Sequence, residues 1–122
     1  MLMKNSEIYN YAQALIEAFQ DNTQRLPVKI NFYLQKNKRV LLDLSQDIEH
    51  SRMDIAQNYG TLTEDGTAYN ISDENISAAN NEITELFNIE QDVPIYKVSI
   101  DSFSDDLTLT TAQMEAIMFM ID

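Results

Sequence analysis

The chain has 122 residues, enough for one domain and too few for two, and its 44% hydrophobic content is that of a folded globular protein. Twenty acidic against eight basic residues give a net charge of −12, which argues against binding nucleic acid or an anionic membrane by bulk attraction. The absence of cysteine excludes disulfide frameworks, thiolate zinc centres and thiol nucleophiles, and the single His50 leaves little room for histidine-based metal or acid–base sites.

Ser6 is placed to cap a first helix, in which Ile8, Ala12, Leu15 and Phe19 recur at helical spacing. The cluster Asp21-Asn22-Thr23 is expected to stop it. Pro27 then suits the start of a second helix, where its missing N–H has no partner to lose. No Gly or Pro interrupts the chain from there to Gly60, which predicts a helix over 28–59, about 48 Å long at 1.5 Å per residue. Leu34, Leu41, Ile48 and Ile55 repeat every seven residues, with Ile30, Leu44 and Tyr59 near the same line. Val28, Phe32, Leu42 and Met53 form a weaker second stripe. A helix with two apolar faces packs against its own chain on one side, here the first helix in a hairpin, and is available to a second subunit on the other.

Beyond Gly60 the pattern changes. Glu64-Asp65-Gly66 reads as a turn between Thr61-Leu62-Thr63 and Thr67-Ala68-Tyr69-Asn70-Ile71, a small β-hairpin. Ser72 or Asp73 caps a third helix reaching about Asn88, with Ile76, Ala79, Ile83, Leu86 and Phe87 on its apolar side. The alternation in 93–100, with Tyr96, Val98 and Ile100 on one face and Pro94 at the start, predicts a strand. Ser104-Asp105-Asp106 is expected to break the chain, and Thr110 or Thr111 to cap a short last helix. In that helix Met114, Ile117, Met118 and Ile121 form a stripe, while Phe119 and Met120 project outside it. Apolar character nearly all round means either burial in the chain itself or cover by a second subunit or another partner; at the chain end the second is favoured, so Met114, Met118, Phe119 and Met120 are the expected oligomer contacts. The fold class is α+β, mainly α: a long helical hairpin, a small antiparallel β-sheet and two further helices in one domain, 1–122.

The charge divides near Gly60. Residues 1–60 hold seven basic and seven acidic groups, whereas 61–122 hold thirteen acidic groups and Lys97 alone. The domain is thus a neutral helical hairpin, 1–60, joined to an acidic mixed half, 61–122. Glu64, Asp65, Asp73, Glu74, Glu82 and Glu85 are the candidate partner-binding residues of the acidic half. Lys29, Lys36, Lys38 and Arg39 form a candidate small-ligand site, which requires convergence at a subunit junction because Lys38 and Arg39 point away from Lys29 and Lys36 on the helix wheel.

Gly60 and Gly66 are the only glycines, so there is no phosphate-cradling loop. His50 lies within the long helix beside Glu49, without a nucleophile elbow or an oxyanion hole. The carboxylate-rich loops 65–73 and 101–106 lack the ligand spacing of a calcium loop. The sequons at Asn70 and Asn75 have no secretion signal to give them meaning, and the lack of a leader or long apolar run reads as a soluble cytoplasmic protein. No catalytic residue, cofactor or metal is expected. The expectation is a binding protein, not an enzyme, and one that neither contacts nucleic acid directly nor enters a membrane.

Ile8-Tyr9-Asn10-Tyr11-Ala12, Leu26-Pro27-Val28-Lys29-Ile30-Asn31-Phe32, Asn58-Tyr59-Gly60, Leu109-Thr110-Thr111 and Met118-Phe119-Met120-Ile121 resemble runs in small proteins encoded by tailed bacteriophages. The resemblance spans most of the chain and carries no chemical motif. It implies a phage or prophage origin and action in the cytoplasm of an infected bacterium. Two roles follow as expectations. One is counter-defence, by blocking a host immune protein or sequestering its signal molecule. The other is a virion or assembly component packed against portal, capsid or tail subunits.

Overall fold

A computed structural model describes residues 1–20, 26–104 and 107–122. The expected stop at 21–23, and the Asp105-Asp106 part of the later break, lie outside the described residues. The elements run β1 (Leu2–Lys4), α1 (Asn5–Ala18), α2 (Val28–Tyr59), β2 (Gly60–Leu62), β3 (Tyr69–Ile71), α3 (Asp73–Asn88), β4 (Glu90–Asp92) and α4 (Thr111–Ile117), with short 3-10 turns at Ile100–Ser102 and Met118–Met120. The class is α+β, mainly α, as the sequence predicts.

The spine is α2, whose 32 residues begin after Pro27 and end at Gly60. Its inner stripe, Ile30, Leu34, Leu41 and Ile48, is buried. On that core pack α1 through Ile8, Ala12 and Leu15, and α3 through half-buried Leu86 and Phe87; Ala79 is the one fully buried residue of α3. The second stripe faces outward: Val28 is 81% exposed, Phe32 55% and Met53 38%, with Leu42 half-buried. Gly60 follows the helix as expected but for a different reason. Its φ of −130° is open to any residue, yet a Cβ there would lie 2.8 Å from the Asn70 carbonyl oxygen and 3.0 Å from that of Ala56. Glycine lets β3 close on the end of α2. Among the described residues, left-handed backbone occurs only at Gly66, φ 73°, in the hairpin turn.

Four expectations are corrected. First, α1 starts after Lys4, whose N–H donates to the Glu7 carboxylate at 3.0 Å, so Ser6 sits in the first turn instead of capping it. Second, there are two two-stranded antiparallel sheets: β2 with β3, and β1 with β4 in the register Leu2↔Asp92, Met3↔Gln91, Lys4↔Glu90.

Third, 93–100 is not a strand. Pro94 has no N–H to donate, and the backbone of Tyr96 is occupied by a side chain. Asn37 of α2, fully buried, accepts from the Tyr96 N–H at 2.8 Å and donates Nδ2 to the Tyr96 carbonyl at 2.9 Å. The amide of one side chain thus does what a neighbouring strand would do. Two residues on, Val98 makes a single parallel bridge with Ile121. Val93 and Val98 are buried, while Tyr96 and Ile100 face out, so the expected common face of Tyr96, Val98 and Ile100 does not form.

Fourth, the chain end belongs to the core. Thr110 caps α4 through a capping box with Gln113, as expected. After Ile117 the backbone tightens into the 3-10 turn, which changes the rotation per residue and turns Phe119 and Met120 inward. Phe119 stacks on Tyr11 with centroids 4.9 Å apart, and Met120 lies beneath the Tyr96–Val98 segment. These two are covered by their own chain and are not oligomer contacts. Met114 is half-buried, and only Met118, 60% exposed, points outward.

Replacing Asn37 by Leu leaves the N–H and C=O of Tyr96 without partners in a partly buried site. The expected loss is about 2–3 kcal/mol of stability, read as a lowered midpoint in urea unfolding. Gly60→Ala places a methyl against two backbone oxygens and is expected to cost about 1–3 kcal/mol in the same assay.

Candidate functional site

The candidate acidic residues are all exposed, and the structure divides them. On α3, Glu74, Glu82 and Glu85 fall within about 80° of arc at 100° per residue; Glu74 and Glu85 lie roughly opposite Ile83, whereas Glu82 lies about 40° from Leu86. Asp73 lies on another side of the first turn, where its charge, like that of Glu74, complements the helix N-terminus. Glu82 is partly engaged: its carboxylate lies near the Tyr59 hydroxyl and raises that phenol above its ordinary pKa. The Asn75 side chain donates to the Tyr59 carbonyl at 3.2 Å, so the start of α3 is tied to the end of α2.

Glu64 and Asp65 sit at the far tip of the hairpin, a strand length of about 10 Å from its base. Asp65 has a structural task there. Its Oδ1 accepts from the Thr63 hydroxyl at 2.6 Å, the Thr67 hydroxyl at 2.9 Å and the Thr67 N–H at 3.2 Å. These bonds, the one from Thr63 foremost, hold its carboxyl below the usual aspartate range. The six predicted residues are therefore one helical face of three glutamates, a turn staple, and two single charges.

The basic candidates do not converge within one chain. Lys36 is held by aromatic rings, its Nζ 5.3 Å from the centroid of Phe32 and 5.5 Å from that of Tyr96. Tyr33 stacks on Tyr96 at 5.7 Å and completes this cluster. Lys38 and Arg39 border a shallow groove of about 310 Å³ along α2 with Gln35, Leu42, Asp43 and Gln46. Lys29 is exposed one turn before Tyr33. A second groove, about 160 Å³, lies between α1 and α2 and shares Leu42 and Gln46 with the first. Ser45 lines it, and its hydroxyl is the buried side-chain polar atom without a hydrogen-bond partner among the described residues.

Sequence reading did not pick out Asn37, nor Asn5 and Gln113, the other two buried polar residues among those described. Asn5 donates to the Leu86 carbonyl at 2.9 Å and accepts from Gln91, tying α1 to the end of α3 and to β4. Gln113 donates to the Ala18 carbonyl at 3.2 Å, tying α4 to the last turn of α1.

Among the described residues two ion pairs form: the amino terminus with Asp92 at 2.8 Å, and Arg52 with Glu49. The amino group holds the Asp92 carboxyl below its usual range, and Arg52 does the same for Glu49. No three acidic or histidine side chains group to hold a metal among the described residues, and no described helix is long and apolar enough to cross a membrane. Comparison with models of known protein families, with curated proteins and with solved structures finds no match.

A carboxylate whose pKa is depressed by folding adds stability above its unfolded pKa, and that stability is lost as pH falls through the folded value. Asp65 and Asp92 are of this kind. In a carboxyl-carbon NMR titration both are expected to titrate below the ordinary aspartate value of about 3.9, and Asp65→Ala to speed hydrogen exchange at the Thr67 amide. An ordinary midpoint for Asp65 would contradict the staple.

Proposed function

We propose that this is a phage-encoded binding protein without catalytic activity, acting in the cytoplasm of the infected bacterium as a counter-defence factor. It lays the acidic face of α3 on a basic surface of a host immune protein. The observation that carries this reading is the pair Glu74 and Glu85. Both are exposed, both lie on the side of α3 turned away from the core, and neither is ion-paired among the described residues. Unspent charge on a rigid helix favours fast, oriented encounter with an opposite surface and rejects acidic partners.

Sequestration of a nucleotide signal has less support, because Lys36 is engaged by Phe32 and Tyr96 and the other basic groups do not converge on it. The virion reading gains nothing from the apolar end of the chain, where Phe119 and Met120 are buried in their own chain.

The test is expression in bacteria carrying single defence systems, scored by phage plating. The chain is expected to restore plating against one system, and Glu74→Lys/Glu85→Lys to abolish that rescue. Affinity for the purified immune protein is expected to fall about tenfold to a hundredfold in this variant, at about 1.4 kcal/mol per tenfold. It should also weaken steeply with salt, since exposed charges are screened beyond about 8 Å at physiological ionic strength. Rescue that survives this variant but is lost in Lys36→Ala/Arg39→Ala would favour signal sequestration. A stoichiometric band in purified virions, without rescue, would favour the structural role.

A further inference from the structure

The start of α2 differs in charge from the rest of the molecule. Residues 28–42 carry Lys29, Lys36, Lys38 and Arg39, half of the chain's eight basic residues, and no acidic one. The two ion pairs among the described residues use none of these four. Lys29 and Lys36, seven positions apart, lie within about 20° of each other around the helix and about 10.5 Å apart along it. Between them stands exposed Phe32, with bare Val28 one turn before it.

Lys36 is the informative group. It is half-buried, and its Nζ sits between two rings, 5.3 Å from the centroid of Phe32 and 5.5 Å from that of Tyr96. Tyr33 stacks on Tyr96 at 5.7 Å and braces the second ring. The ring faces offset part of the cost of taking this ammonium out of water. They do not neutralise it, and an ammonium has three N–H donors that a ring face leaves free for an oxygen acceptor. The result is a cation held in one place, partly desolvated, with no carboxylate beside it among the described residues.

We propose that this side of α2 is a second docking surface, and that its occupant is an acidic amphipathic helix of a partner protein. Two carboxylates of that helix, seven positions apart, meet Lys29 and Lys36. The apolar residues between them cover Phe32 and Val28. A helix matches the 10.5 Å between the two lysines because it repeats the same rise, about 1.5 Å per residue. Fixing Lys36 between rings before the partner arrives lowers the ordering cost of the contact.

Charge selects this occupant. A nucleic acid gains affinity from many phosphate contacts. Here a short row of basic groups is joined to a half with thirteen acidic residues and one lysine, which repels a long polyanion. An amphipathic helix presents two or three carboxylates and an apolar strip, which is what Lys29, Phe32 and Lys36 complement. The surface lies on a different helix from Glu74 and Glu85, so the inference does not rest on the counter-defence reading.

The test uses the full chain and a fluorescein-labelled alanine-based peptide of about 18 residues, long enough to form a helix. It carries glutamates at positions i and i+7 and leucines at i+3 and i+4. Saturable binding by fluorescence anisotropy is expected, weakening as salt is raised. Lys36→Gln, Lys29→Glu and Phe32→Ala are each expected to lower affinity about tenfold, and Glu74→Lys/Glu85→Lys to change it less than about twofold. A peptide of the same composition with its glutamates on opposite faces should bind about tenfold more weakly. Lys29 and Phe32 are exposed, so those variants are expected to keep the wild-type urea midpoint. In carbon–proton NMR spectra the ε-methylene of Lys36 should start upfield, under the two rings, and move as the peptide is added. Absence of saturable binding overturns the proposal, as does equal binding of the rearranged peptide or indifference to the three variants. Tighter binding of oligothymidylate than of the peptide overturns it in favour of nucleic acid. Light scattering that gives a dimer which Phe32→Ala returns to the 14.0 kDa chain mass overturns it in favour of a second copy.

Discussion

The fold depends on one side-chain amide. Asn37 occupies a core position in the inner register of α2, between Leu34 and Leu41, where an apolar residue would ordinarily stand. Its two bonds to Tyr96 satisfy both polar groups of that residue's backbone and fix where the 93–98 segment crosses the helix. A buried amide without partners would cost more than its bonds return, so the site is stable only when the segment is in place. Val98 can then reach Ile121, Lys97 can donate to the Phe119 carbonyl at 2.9 Å, and Met120 is sealed beneath.

Asn5 and Gln113 repeat the device at other junctions. Each of the three buried amides bonds to a backbone carbonyl on an element distant in sequence. Apolar contact brings helices together without saying at which register, whereas an amide pair has one geometry. The short strands, three residues each, are too small to supply that definition. In this small core, polar side chains set the alignment and apolar ones supply the area. Charge is then left to the surface, and the net −12 falls on residues 61–122.

What the sequence discloses follows its punctuation. Pro27, Gly60, Gly66, Ser72 and Thr110 mark element ends by local chemistry, and those boundaries are legible to within a residue or so. Leu2-Met3-Lys4 and Glu90-Gln91-Asp92 contain no β-branched residue, and they are strands only because each finds the other some ninety residues away. The alternation in 93–100 is real, but its hydrogen bonds go to a side chain and to the chain end, which no local pattern records. Asn37 itself was visible as a polar residue at a core step of the heptad stripe. The same limit applies to the candidate surfaces. The exposure of Glu74 and Glu85 follows from helical spacing, while the capture of Lys36 needed Tyr96, sixty residues on, to be placed.

The position of α4 on α1 has a consequence for synthesis. Tyr11 and the inner side of α1 leave the ribosome about a hundred residues ahead of the groups that cover them, Phe119 and Gln113. The helical hairpin therefore spends the synthesis of all that lies between with an aromatic ring and apolar side chains uncovered. At typical elongation rates of about 5–20 residues per second that interval is on the order of ten seconds. Over that time the nascent helices depend on other cover, and a surface dense in carboxylates, most of it made between the two, helps keep the unfinished chain apart from its neighbours.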